Sequence, residues 1–223
     1  MTTKETPKTN HRRPSEGRPA RLAVLASGDG SNLQALLDAC AVGYLDAEVV
    51  CVVSDRPGAR ALSRAVDAMV PQVLLVPGPD ADHDRREWDA KLALTVAEAD
   101  PDWIVLAGFM RLLSSRFLDR FPGRVVNVHP ALPGDLPGTR AIERAFDEFV
   151  DGDRTNTGVM VHLVPDEGVD SGPVVATEVV EICIDDTLES LTDRMHVTEH
   201  RLLVAAVHDL LERSPSQHRG DHP

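Results

Sequence analysis

Residues 21–40 read RLAVLASGDGSNLQALLDAC, and this stretch decides the fold. RLAVLAS is a short, continuous apolar run, the pattern of a strand buried on both faces. GDGSN breaks it with two glycines, and NLQALLDAC follows with apolar residues at helical spacing, opening on a Ser/Asn cap. The rhythm continues outward. AEVVCVVS (47–54), PQVLLV (71–76), DWIVLAG (102–108) and GRVVNVH (123–129) read as strands, and ARALSRAVDA (59–68), RREWDAKLALTVAEA (85–99), SSRFLDRF (114–121) and RAIERAFDEFV (140–150) as helices. TGVMVHLV (157–164) and GPVVATEVVEI (172–182) read as an antiparallel pair, and 187–213 as a long C-terminal helix, continuous or broken. Alternating strands and helices imply an α/β fold with a doubly wound, mostly parallel sheet and antiparallel strands late in the chain. The folded domain is expected over 21–212. Residues 1–20, with five basic and two acidic side chains and almost no large apolar ones, read as a disordered leader, and 213–223 as a loose tail.

Composition narrows the function. Lys and Arg number 23 against 36 Asp and Glu, a formal charge of −13. That excludes a general basic surface for nucleic acid. No run of 18 apolar residues suggests a membrane span. The N-terminus lacks a secretory apolar core, so the cytoplasm is the expected location. Cys40, Cys51 and Cys183 are too far apart for a zinc motif and odd in number. The oligomeric state, monomer or homodimer, is not legible.

In an open α/β sheet, ligands bind at the carboxyl ends of the strands, which selects positions before any motif is invoked. The first strand ends in Ser27-Gly28-Asp29-Gly30-Ser31-Asn32. Its glycines permit close backbone approach, and the amides that begin the helix suit an anion. Leu33 stands where a dinucleotide fingerprint needs a third small residue, so one phosphate is favoured over a nicotinamide cofactor. The alternative is a tight βα turn without a ligand. Asn127 and His129, two apart on one strand, point the same way. An amide that can polarise a carbonyl thus lies beside an imidazole that titrates near neutrality. Asp170, in DEGVDSGP (166–173), is by itself a turn carboxylate, and His162 fits a hydrogen-bonded core histidine as well as a site residue. His196-Val197-Thr198-Glu199-His200 matches the H-x-x-E-H zinc pattern, but only 23 residues follow and they offer no good third ligand, so no metal is expected.

RLAVLASGDGSNLQALLDA, PDWIVLAGFMRLLS, GRVVNVHPAL and DEGVDSGP occur in an order and spacing that resemble the folate-dependent formyltransferases, in particular those acting on glycinamide ribonucleotide in purine synthesis. The resemblance spans 21–212. It implies that Asn127, His129 and Asp170 are catalytic. Gly30, Ser31 and Asn32 would hold the ribonucleotide phosphate, with Glu199 near the ribose. Met110, Arg111 and Leu113 would line the pterin pocket, and Arg85 would bind on the folate side of the cleft. The co-substrate would be 10-formyltetrahydrofolate. Charged His129, kept so by Asp170, would face the formyl oxygen beside Asn127. Two departures stand out: Ala131-Leu132-Pro133-Gly134 replaces the usual Ser-Leu-Leu-Pro, and Pro165 lengthens the stretch from His162 to Asp170, which is expected to shift the strand pairing or the folate loop there. Related enzymes with the same Asn, His and Asp add a tRNA-binding or a regulatory domain, which is expected to be missing here and favours the ribonucleotide enzyme; a deformylase and a non-catalytic nucleotide-binding module are the alternatives.

Overall fold

A computed structural model describes residues 18–78 and 85–213. Seven strands form one sheet. They are β1 (Ala20–Leu25), β2 (Ala47–Ser54), β3 (Gln72–Leu74), β4 (Trp103–Leu106), β5 (Val125–His129), β6 (Asn156–Leu163) and β7 (Val174–Glu181). Their order is β3-β2-β1-β4-β5-β6-β7. β1 to β5 run parallel, and β6 and β7 are antiparallel additions at one edge. The chain winds outward from β1 to β3, then crosses back to β4. The carboxyl ends of β1 and β4 therefore part at a topological switch point, where a crevice must form.

The apolar runs behave as double-sided strands. Leu22 and Val24 of β1 face a cluster built with the helices α1 (Ser31–Ala41), α5 (Ala141–Val150) and α6 (Leu188–Glu212). Ala23 and Leu25 face a second cluster with α3 (Arg85–Glu98) and α4 (Ser115–Leu118). All four β1 residues are fully buried. Burial at roughly 25 cal/mol per Å² of apolar surface makes these two faces the main source of stability. α2 (Arg60–Asp67) packs beside α1 next to the first turn.

Several boundaries differ from the sequence expectation. β3 is three residues rather than six, because it is an edge strand paired only with β2, with Gln72 and Leu74 exposed. α6 is one unbroken helix of 25 residues. Its buried Leu191, Met195, Thr198, Leu202 and Ala206 recur every three or four positions, and Thr187 caps it in a reciprocal box with Ser190. No side chain caps α1. Its N-cap is Gly30 at φ 77°, and Ser31 is already helical. The domain begins before residue 21: Arg18 pairs with Asp102 at 2.8 Å, and Ala20 opens β1. The rest of the leader (1–17) and the tail from 214 lie outside the described residues. The β6–β7 register is irregular between Val161, which pairs with Ala176, and His162, which pairs with Val174. The β5–β6 register is unbroken.

Candidate active site

The turn after β1 and the segment after β4 are tied together before any ligand is considered. Ser27 Oγ donates to Asp55 at 2.6 Å and accepts from the Met110 amide at 2.9 Å. Ser27 N donates to the Gly108 carbonyl at 3.1 Å. The ends of β1, β2 and β4 thus form one rigid rim. Gly30 is required twice over in this rim: its φ is 77°, and a Cβ there would lie 2.7 Å from Ala61 Cα on α2. With no side-chain cap on α1, the first-turn amides of Ser31 and Asn32 face the crevice, an arrangement suited to an anion.

A cavity of about 780 Å³ fills the crevice. Gly28–Asn32 line one end, with His196 and Glu199 of α6 beside them. Leu106–Leu113 and residues 166–169 line the cavity as well, together with Asn127, His129, His162 and Asp170. Its size suits a drug-sized ligand or two smaller ones.

β5 presents Asn127 and His129 on one face, and antiparallel pairing places His162 of β6 directly across from Asn127. The loop between β6 and β7 carries Asp170 in at φ 48°, a left-handed conformation strained for a non-glycine residue. Its carboxylate gathers the others. Oδ2 accepts from the Gly138 amide at 2.8 Å and lies 3.4 Å from His129 Nδ1. Oδ1 accepts from Asn127 Nδ2 at 3.3 Å and lies 3.5 Å from His162 Nε2. The Asn127 amide also lies 3.1 Å from His162 Nε2. His162 Nδ1 donates to the Leu163 carbonyl at 2.9 Å, so it carries a proton. His129 Nε2 lies 3.1 Å from the Leu136 carbonyl.

The charges in this cluster are displaced from their ordinary values. Burial is the strongest influence on His129 and pushes its pKa down, aided by His162 and Arg144; Asp170 and the Leu136 carbonyl oppose it without prevailing. This influence runs against the expected resting imidazolium, because burial favours the neutral form of His129. Asp170 is held below the usual carboxylate range. Burial, its largest single influence, raises it, but the His162 contact, the Gly138 amide and the His129 charge together outweigh burial. Glu199 is shifted upward by burial, against the Asn32 amide that donates to it at 2.8 Å and the charge of His196.

The structure brings Asn127, His129 and Asp170 together and adds His162, which the sequence left open. Gly30, Ser31, Asn32 and Glu199 line the same cavity. Met110, Arg111 and Leu113 line it too, and the Arg111 guanidinium lies over Trp88 at 5.1 Å. Arg85 is not among the lining residues. It pairs with Glu167, which is. His196 and His200 stack at 6.4 Å, and among the described residues no group of three or more His, Cys, Asp or Glu could hold a metal. None of the described helices is long and apolar enough to cross a membrane. The signal that could have singled out His162 is its place in the buried run TGVMVHLV, since a buried polar side chain requires a partner.

A switch-point cavity lined by a glycine-rich turn and by an Asn–His–Asp cluster suits a small-molecule transferase of the α/β class. The chain belongs to the formyl transferase family, whose profile matches residues 20–207. It is similar to the phosphoribosylglycinamide formyltransferase of Mycobacterium tuberculosis, 47% identical over 190 residues covering 85% of this chain and 84% of that one. The Schizosaccharomyces pombe enzyme of the same name is 40% identical, with 86% of this chain and 97% of that one covered. Among solved structures, the phosphoribosylglycinamide formyltransferase of Bacillus halodurans matches with a TM-score of 0.80 and 36% identity, over 90% of this chain and 100% of that one.

Proposed function

We propose that the chain transfers the formyl group of 10-formyltetrahydrofolate to the amine of glycinamide ribonucleotide, as a step of purine biosynthesis. One observation carries the reading: Asn127 and His129 each place a nitrogen within 3.4 Å of the Asp170 carboxylate, in a cavity that an anion-suited turn also lines. A ribonucleotide phosphate on the Ser31 and Asn32 amides, with Glu199 toward the ribose, directs the substrate amine to the cavity's centre. A folate whose pterin lies against residues 108–113 brings its N10 formyl group to the same place.

The amine nitrogen attacks the formyl carbon, and the carbonyl electrons move onto oxygen. Asn127 Nδ2, the least buried donor of the cluster, stabilises that oxyanion. Removing a preorganised donor of this kind typically costs about 3–4 kcal/mol. Neutral His129 accepts the proton that the amine loses. The imidazolium so formed carries the new proton on Nδ1, against Asp170, whose negative charge stabilises it, while Nε2 keeps the Leu136 carbonyl. As the carbon–N10 bond breaks, the proton passes to N10, and the products are the formamide and tetrahydrofolate. Side-by-side binding of the two substrates supplies proximity.

A mixing assay tests this reading. With 10-formyltetrahydrofolate and glycinamide ribonucleotide both present, the folate spectrum should change to that of tetrahydrofolate at the rate the formylated product appears. A change with folate alone would indicate a deformylase, and no change in either mixture would refute the transfer reaction.

A further inference from the structure

Resting on the reading of this cleft as a formyl-folate site, we propose that Glu167 is an internal competitor for the folate's acidic tail, holding the Arg85 guanidinium until the tail carboxylate replaces it. Glu167 belongs to the loop between β6 and β7, three residues before Asp170, and lines the cavity, whereas Arg85, its ion-pair partner, does not. One carboxylate oxygen is paired with Arg85 Nη2, and the other accepts from the Ser115 amide at 2.9 Å. Arg86, adjacent in sequence, reaches Ser115 Oγ at 3.1 Å and adds its charge to the same corner. The Ser115 amide, followed by Arg85 and Arg86, outweighs a small burial effect and holds the Glu167 carboxyl below its ordinary range. This corner therefore selects for a carboxylate, and the chain supplies one of its own.

The pair is exchangeable. The Arg85 and Glu167 side chains are 32% and 42% exposed, so water can replace each partner's contacts as the pair opens. A pterin in the lobe beside residues 108–113 points the rest of the folate along the wall that Glu167 forms. The glutamate at the end of the folate carries the carboxylates that match Arg85. A ligand without that glutamate has nothing to exchange for Glu167.

Calorimetric titration of the full chain with 10-formyltetrahydrofolate, and with 10-formyltetrahydropteroate, which lacks the glutamate, tests the inference without turnover when glycinamide ribonucleotide is left out. Glu167→Gln should tighten the glutamate-bearing ligand about two- to fivefold, the range expected for an exposed ion pair, and leave the pteroate unchanged. In an Arg85→Gln background the same substitution should give no gain. Equal shifts for both ligands would mean that Glu167 only braces the loop that carries Asp170, and would overturn the competition, as would failure of the glutamate-bearing ligand to tighten. If the unaltered protein bound neither ligand, the folate reading and the inference would fall together; normal binding with no effect of Glu167→Gln sinks the inference alone.

Discussion

Asp170→Asn keeps the size and shape of the side chain and removes its charge. An Asn oxygen can still accept from the Gly138 amide, the shortest of the Asp170 contacts at 2.8 Å, so the loop should keep its path. The loss falls on His129, whose Nδ1 is 3.4 Å from Asp170 Oδ2 in surroundings where the two side chains are only 6% and 12% exposed. At an effective dielectric of about 20, unit charges at that separation attract by roughly 5 kcal/mol. In the resting state His129 favours the neutral form, so most of this attraction is realised only when it takes the proton of the attacking amine. An interaction confined to the transition state lowers kcat and leaves substrate binding largely alone. Allowing for partial solvent screening, about 4 kcal/mol remains, which is roughly a thousandfold in kcat. KM for each substrate should move by less than about threefold. The acid limb of kcat/KM should also move to lower pH, because Asp170 is what opposes the burial-driven depression of His129. Steady-state kinetics from the folate absorbance, with a melting curve as control, measures all three effects. A variant with unchanged melting temperature and kcat within tenfold of the unaltered protein would refute the role given to Asp170.

Gly30→Val should damage the fold rather than one ligand site. Its Cβ would meet Ala61 at 2.7–2.8 Å in a left-handed backbone, so a loss of about 2–4 kcal/mol should appear as a lower denaturation midpoint, with both ligands weakened. Glu199→Ala should raise KM for the ribonucleotide about tenfold and leave folate affinity intact, as calorimetry with each ligand would show. Stability should fall as pH drops below about 6.5, since folding depresses the pKa of His129 and His200, and below that pH the unfolded chain takes up protons that the folded chain resists. A second decline should begin below about pH 4, where Asp170, also depressed, loses the contribution it makes above its unfolded pKa. Urea midpoints measured from pH 3 to 8 would expose both steps.

The architecture was readable because each central strand is a continuous apolar run, and Leu22 to Leu25 are buried on both faces of the sheet. Asn127 and His129 were readable for the same reason, as two polar side chains at the end of such a run. The partner of Asn127 was not, because His162 reaches it through the β5–β6 register, which a single chain's pattern does not fix. Nor could the resting state of His129 be read. Its downward shift reflects burial, a tertiary effect that the Leu136 carbonyl and Asp170 oppose. The absent side-chain cap on α1 is similar: Ser31 and Asn32 look like caps in sequence, but the approach of α2 puts Gly30 at that position. Arg85 illustrates the limit of resemblance, which places it on the folate side but says nothing of Glu167 standing in front of it.

The account depends on two substrates meeting at one carbon. A crystal structure with glycinamide ribonucleotide and a non-transferable 10-formyl folate analogue bound together would measure this directly. The predicted result is a phosphate on the Ser31 and Asn32 amides, with the amine and the Asn127 amide each about 3–3.5 Å from the formyl group. A formyl group held away from Asn127, His129 and Asp170, or a phosphate bound at the far lobe, would contradict it.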